Sequence, residues 1–278
     1  MTLHSLDHLK GFTILGEDAQ SFAQSQLSCH VDRLAPKRWH PSAWCNGQGR
    51  VLACLLIRVG KDHIDCVLPE SQLEDTLAGL QKFTIGRQVA FGAPQRVVGA
   101  WHDTTGATDP LSFDDSRGLE CGDADLIAST GVADRALDWT LDWALADIQA
   151  GLAWLSPAVS GQFLPQALGL ERLGGVSYDK GCYPGQEVIA KVHYRGQLKQ
   201  HLVRLHWAND IPVQPPASAL FLPPDAGAEL NPAVGQVITH QGAWGLAVVK
   251  TKVPPNTTLA LSADGPGVAE IIALDSGA

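Results

Sequence analysis

From Lys199 onward the chain changes character, and that change restricts the folds open to it. Short β-rich pieces at residues 202–207, 234–239, 245–249, 258–261 and 268–274 alternate with turns rich in Pro and Gly. Strands this short, at this spacing, predict a small antiparallel barrel or sandwich. The chain before Lys199 is mixed. Residues 12–15 read as a short strand. Glu17 and Asp18 suit the first turn of a helix on which Ala19, Phe22, Ala23 and Leu27 recur at helical spacing. Residues 51–57 are an apolar run of strand length, and the turn at Gly60, Lys61 and Asp62 leads to a second strand at 64–68, a hairpin. Pro69 and Glu70 then start a helix with Leu73, Leu77 and Leu80 on one stripe. Further strands are predicted at 89–91 and 96–101, a Gly/Asp/Ser-rich connection at 104–125, a helix at 133–150 and irregular chain at 152–174. The class is α+β.

The 278 residues suggest about two domains, with three small ones also open. A net charge of −9 argues against a simple polyanion binder, which needs clustered Lys and Arg, so no direct nucleic-acid partner is expected. No run reaches the ~18 apolar residues of a membrane span. Residues 1–12 show no cationic stretch followed by an apolar core, so no signal peptide is expected, and a cytoplasmic protein without membrane contact is the default. The six cysteines contain no CxxC pair, which disfavours a disulfide framework or a zinc knuckle. Cys45, Cys54 and Cys66 lie in or beside apolar runs and read as small buried hydrophobes. His4 and His8 have the spacing of two metal ligands on a helix, but without an HExxH an exposed polar N-terminus is the better reading, and no metal is expected.

The sharpest local signal is Asp179-Lys180-Gly181-Cys182-Tyr183-Pro184-Gly185-Gln186-Glu187. Pro184 suits the first position of a helix, Val188, Ile189 and Val192 give it an apolar face, and Gly196 closes it. Cys182 then precedes a helix N-terminus, where unpaired N–H groups favour a thiolate, and Lys180 adds positive charge two residues away. The flanking glycines leave the backbone open to a ligand. Local physics leaves two readings: a reactive or ligand-binding thiol, and a glycine-rich turn whose cysteine packs.

The same stretch, with Gly175-Val176-Ser177-Tyr178 before it, resembles the signature of the folate-binding YgfZ family, which is related to glycine-cleavage aminomethyltransferase and to mitochondrial iron–sulfur assembly factors. Weaker similarities follow in the family's order: Gly16-Glu17-Asp18-Ala19 with Phe22, Cys45-Asn46-Gly47-Gln48-Gly49-Arg50, and Gln162-Phe163-Leu164-Pro165-Gln166. The resemblance implies three domains around a central opening, ending in an antiparallel β-barrel. They would be an α+β folate-binding domain over 1–100, a second α+β domain with the loop over 101–198, and the barrel over 199–278. It implies tetrahydrofolate or a folate derivative as cofactor, and iron–sulfur client or assembly proteins as partners.

By the same resemblance, Trp143 takes the place of a folate-contacting tryptophan, although helical spacing alone would make it core. The family's second aromatic falls at Leu9, and Gln149 stands where relatives have Glu; an amide offers one acceptor oxygen where a carboxylate offers two. Gly181, Tyr183, Gly185, Gln186 and Glu187 would complete the binding loop, with Arg195, Lys191 and Lys180 as cations for an anionic tail. Aminomethyltransferases carry an acidic pair after the first hairpin turn; here Ala53 and Cys54 follow, and neither is a carboxylate acid or base. Cys182 is left as the expected functional thiol, with Lys180 as its electrostatic partner. Three functions stay open: support of iron–sulfur cluster assembly or repair, folate-dependent one-carbon transfer, and a non-catalytic folate-binding scaffold.

Overall fold

A thirteen-residue strand, β1 (Leu3–Leu15), organises the first part of the chain. The computed structural model describes residues 3–101, 117–122, 132–133, 137–208, 211–224 and 232–274. Within these, β1 pairs antiparallel with β4 (His63–Pro69) from Leu9↔Pro69 to Leu15↔His63. On its other side it pairs with β6 (Gln95–Trp101). Strands β2 (Trp39–Cys45), β3 (Val51–Val59) and β7 (Arg117–Gly122) complete the order β2-β3-β4-β1-β6-β7. Two short strands, β5 (Ala90–Phe91) and β8 (Val132–Ala133), also pair with β1, the latter in parallel.

Both faces of this sheet are covered, as the continuous apolar run of β3 requires. Leu55 and Ile57 turn to one face with Phe12, Ile14 and Phe22, beneath helices α1 (Ala19–Gln26) and α2 (Glu70–Gln81). Leu56 turns to the other, with Leu6, Leu9, Val67 and Trp143 of helix α3 (Leu137–Ala150). The alternation is the two-residue period of a strand.

The second sheet contains β9 (Gln200–Trp207), β10 (Ala219–Leu220), β11 (Gly235–Gln241), β12 (Trp244–Lys250), β13 (Thr258–Ala260) and β14 (Gly267–Ile272). Its order is β10-β11-β12-β9-β14-β13. Beyond the ends of that order Phe221 meets Ala260, with N–H···O bonds of 2.9 and 2.8 Å in the two directions. The sheet is therefore a near-closed barrel and not a sandwich. Val203, Leu205, Trp207 and Val249 fill it. Leu202, Ile238 and Val248 belong instead to a cluster with Ile148 of α3, Leu168, and Ile189 of α4 (Gln186–Arg195). That shared core holds the barrel against the chain carrying the Cys182 loop.

Several elements differ from the sequence reading, among them three strands of the first sheet. β1 begins at Leu3 and not at residue 12, so His4 and His8 lie on a half-buried strand rather than an exposed terminus. Its register shifts between Ser5 and Lys10, which puts Leu6 and Leu9 in one cluster despite their odd spacing and breaks the alternation that marks a strand. β2 was hidden by Pro41, which an edge strand tolerates. β7 lies within the predicted 104–125 connection, of which 104–116 and 123–125 fall outside the described residues. No helix among the described residues is long and apolar enough to cross a membrane.

Candidate functional site

Three segments far apart in sequence converge on the Cys182 loop. Gly185 precedes α4 in the left-handed region, at φ 78°. A Cβ there would come within 2.3 Å of Gly49 Cα and N and 2.6 Å of Asn46 O. Only glycine permits this contact between the loop and the turn joining β2 to β3. Asn46 Oδ1 orders that turn by accepting the N–H groups of Gln48 and Arg50, at 2.9 and 3.0 Å. Arg50 Nη1 in turn donates to Gln162 O at 3.1 Å. Gln166 Nε2 then donates to Ile189 O of α4 at 2.8 Å. The first hairpin, the Gln162–Gln166 segment and the loop thus form one assembly.

The loop is also held from its N-terminal side. Lys180 is buried, and its Nζ donates to Leu27 O at 2.6 Å and Cys29 O at 2.7 Å. It lies 5.0 Å from the Tyr183 ring centroid. Burial lowers its pKa to about 8, against the pull of Cys29 and Asp32. Gln186 Nε2 donates to Lys180 O at 3.1 Å. Asp179 accepts from Ser177 Oγ and from Arg33 Nη1, and those bonds hold its carboxyl down to about 2.

Between these anchors Gly181 and Cys182 are exposed. The other five cysteines are buried, and burial pushes all of their thiols up, Cys45 and Cys121 to about 12. Lys180 bonds inward to the α1–β2 connection, so the structure gives it a clamping role; Cys182 is not among its hydrogen-bond or charge partners. Tyr183 is buried, Glu187 is exposed in the first turn of α4, and Lys191 and Arg195 are exposed farther along it.

A second feature is a cavity of about 240 Å³ between β1, α3 and the barrel, with Leu9, Ala144, Ile148, Trp154 and Ile238 among its walls. Trp154 Nε1 donates to Asp147 Oδ2 at 2.8 Å, and Asp147 Oδ1 accepts from Arg117 Nη1 at 2.6 Å, so the indole is held in place by a buried ion pair. His8 and Ser156 also line the cavity. Both imidazole nitrogens of His8 and the Ser156 hydroxyl are buried without a hydrogen-bond partner. Burial lowers the His8 pKa despite the pull of Asp147 and Asp7, so the ring is neutral near pH 7.

An uncharacterized protein of Haemophilus influenzae is 30% identical to this chain over 202 residues, 70% of each. The chain belongs to the same family. No family model matches it. Among solved structures, glycine cleavage system aminomethyltransferase T from Bartonella henselae matches 98% of this chain and 85% of its own, with a TM-score of 0.69 and 14% identity. The fold is accordingly aminomethyltransferase-like, as the sequence resemblance implied.

Of the expected ligand contacts, Leu9 alone lines the cavity. Trp143 is 1% exposed in the core cluster of Leu6 and Leu9, with the Arg117 guanidinium 4.9 Å from its ring centroid. Gln149 follows Ile148 on α3 but does not line the cavity, whereas Leu9 does. None of Lys180, Lys191 and Arg195 lines it either. Trp154, His8 and Ser156 are cavity-lining residues that sequence reasoning did not place there. Trp154 lies in the stretch read as irregular, and His8 was visible only as half of a histidine pair.

Proposed function

We propose that this chain is a folate-binding protein of the YgfZ type that supports assembly or repair of iron–sulfur clusters in client enzymes, with Cys182 as its functional thiol. The observation that carries the reading is the exposure of Cys182, out of six cysteines, on a loop clamped at Lys180 and Gly185. A clamp on both sides keeps a thiol available without letting it collapse into the core. The resemblance of that loop to the family signature and the aminomethyltransferase-like fold support the assignment.

The residues fit a folate ring. The cavity offers the apolar walls of Leu9 and Ile148 and the fixed indole of Trp154. When bound, tetrahydrofolate supplies a reduced ring able to carry a one-carbon unit. A second reading, one-carbon transfer itself, is favoured by the fold. It is opposed by the first hairpin, where Ala53 and Cys54 are both fully buried in β3 and provide no carboxylate.

The test is complementation in cells lacking the protein. Cys182→Ala should fail to restore cluster-enzyme activity while remaining folded and abundant; full restoration would leave a scaffold role. In the purified protein, residue-resolved mass spectrometry should find Cys182 alkylated before the five buried cysteines at neutral pH.

A further inference from the structure

A groove of about 310 Å³ lies between α4, the β2–β3 turn and the start of β9. Leu164, Val188, Val192 and Leu198 give it apolar surface, and Arg50 and Lys199 stand among them. Val188 and Lys199 are exposed, so the groove opens to solvent on that side. It adjoins the Cys182 loop: Arg50 follows Gly49, α4 starts after Gly185, and those two glycines are packed together. Arg50 Nη1 donates to Gln162 O at 3.1 Å, which holds the guanidinium at the groove without neutralising it.

The outer face of α4 extends the same pattern. Val188, Lys191, Val192 and Arg195 recur at i, i+3, i+4 and i+7, so they share one side of the helix over about 10 Å. Ile189 beside them turns into the core instead. The ion pairs among the described residues use Lys10, Arg33, Arg58, His63, Arg117 and His193 as their cations. Arg50, Lys191, Arg195 and Lys199 are in none of them, and Glu187 of the same helix pairs with none of the four. In a chain of net charge −9, this face therefore presents apolar surface flanked by positive charge that the chain does not neutralise.

We infer that this groove docks a peptide segment of a partner protein in which an apolar side chain lies between Asp and Glu residues. The apolar side chain covers Val188, Val192 and Leu198, and the flanking carboxylates meet Lys191, Arg195, Arg50 and Lys199. A nucleic acid would satisfy the cations and leave the apolar floor unused, because no aromatic ring lines the groove for a base to stack on. A segment bound here lies along the helix whose preceding loop exposes Cys182. The inference rests on the iron–sulfur reading for why a client should approach this loop, and on the groove alone for what the client must carry.

The full-length protein is titrated into a fluorescein-labelled peptide with central leucines flanked by glutamates, followed by fluorescence anisotropy. Binding should be saturable and should weaken as salt is added. Lys199→Glu and Val188→Glu lie at exposed positions, so both variants should keep wild-type thermal unfolding while weakening the peptide about tenfold each. Lys61→Glu, in the exposed turn between β3 and β4, should bind as the parent does. Absence of binding, or binding by Lys199→Glu and Val188→Glu equal to that of the parent, overturns the inference. So does undiminished binding of a peptide with serine in place of leucine, or tighter binding of a single-stranded oligonucleotide. Complementation with Cys182→Ala separates this result from the thiol reading. Peptide binding that the groove variants weaken, together with full restoration by Cys182→Ala, keeps the docking site and removes the thiol. No peptide binding, with Cys182→Ala inactive, removes the docking site and keeps the thiol.

Discussion

At the scale of single residues, burial sets the folded-state energetics of Lys180 and Trp143. Lys180, expected beside a thiolate, is a buried ammonium bonded to two carbonyls. Its folded-state pKa of about 8 lies below the ordinary 10.5, so between those values the unfolded chain binds the proton more tightly. The protonated form therefore costs stability at pH 7 and below, and the cost fades as pH rises from about 8 to about 10.5. Urea unfolding of both proteins should therefore show the stability difference between wild type and Lys180→Met moving in favour of the wild type across that window, the loss from the raised buried thiols being common to both. Trp143 fills the core under the first sheet, so Trp143→Ala should lose about 3–5 kcal/mol of stability, measured by chemical denaturation. Trp143→Phe should keep ligand binding if the residue acts only by packing.

At the scale of elements, the contact between the β2–β3 turn and the loop before α4 matters most. It joins two glycines, Gly49 and Gly185, both at positive φ. Gly185→Ala would place a methyl against backbone atoms that cannot move aside, in a conformation an L-residue disfavours. We expect a loss of about 2–4 kcal/mol and a lower melting temperature. Limited proteolysis should cut the loop early in that variant, because the release is local before it is global. Val188 lies on the solvent side of α4, so Val188→Ala should do neither.

At the scale of the whole molecule, the shared core decides what can react. Ile148 and Leu155 of the cavity wall, Tyr183 and Ile189 of the loop region, and Ile238 of the barrel belong to one cluster. With Ala53 and Cys54 sealed in the first sheet, the purified protein should show no methylene transfer from an aminomethyl carrier to tetrahydrofolate in a single-turnover assay. The sequence by itself determined the α+β class, most helices and strands after residue 50, and the Cys182 loop. Those features are written in local periodicity, in turn residues and in a contiguous motif. It also carried the turn at Asn46, but not that this turn would meet Gly185. The start of β1, the edge strand β2 and the closure of the barrel were decided only in the tertiary structure. A register shift, a proline tolerated at an edge and a pairing between Phe221 and Ala260 leave no periodic trace. The same holds for the cavity. His8, Trp154 and Ser156 lie up to 148 positions apart, and only packing brings them to one cavity.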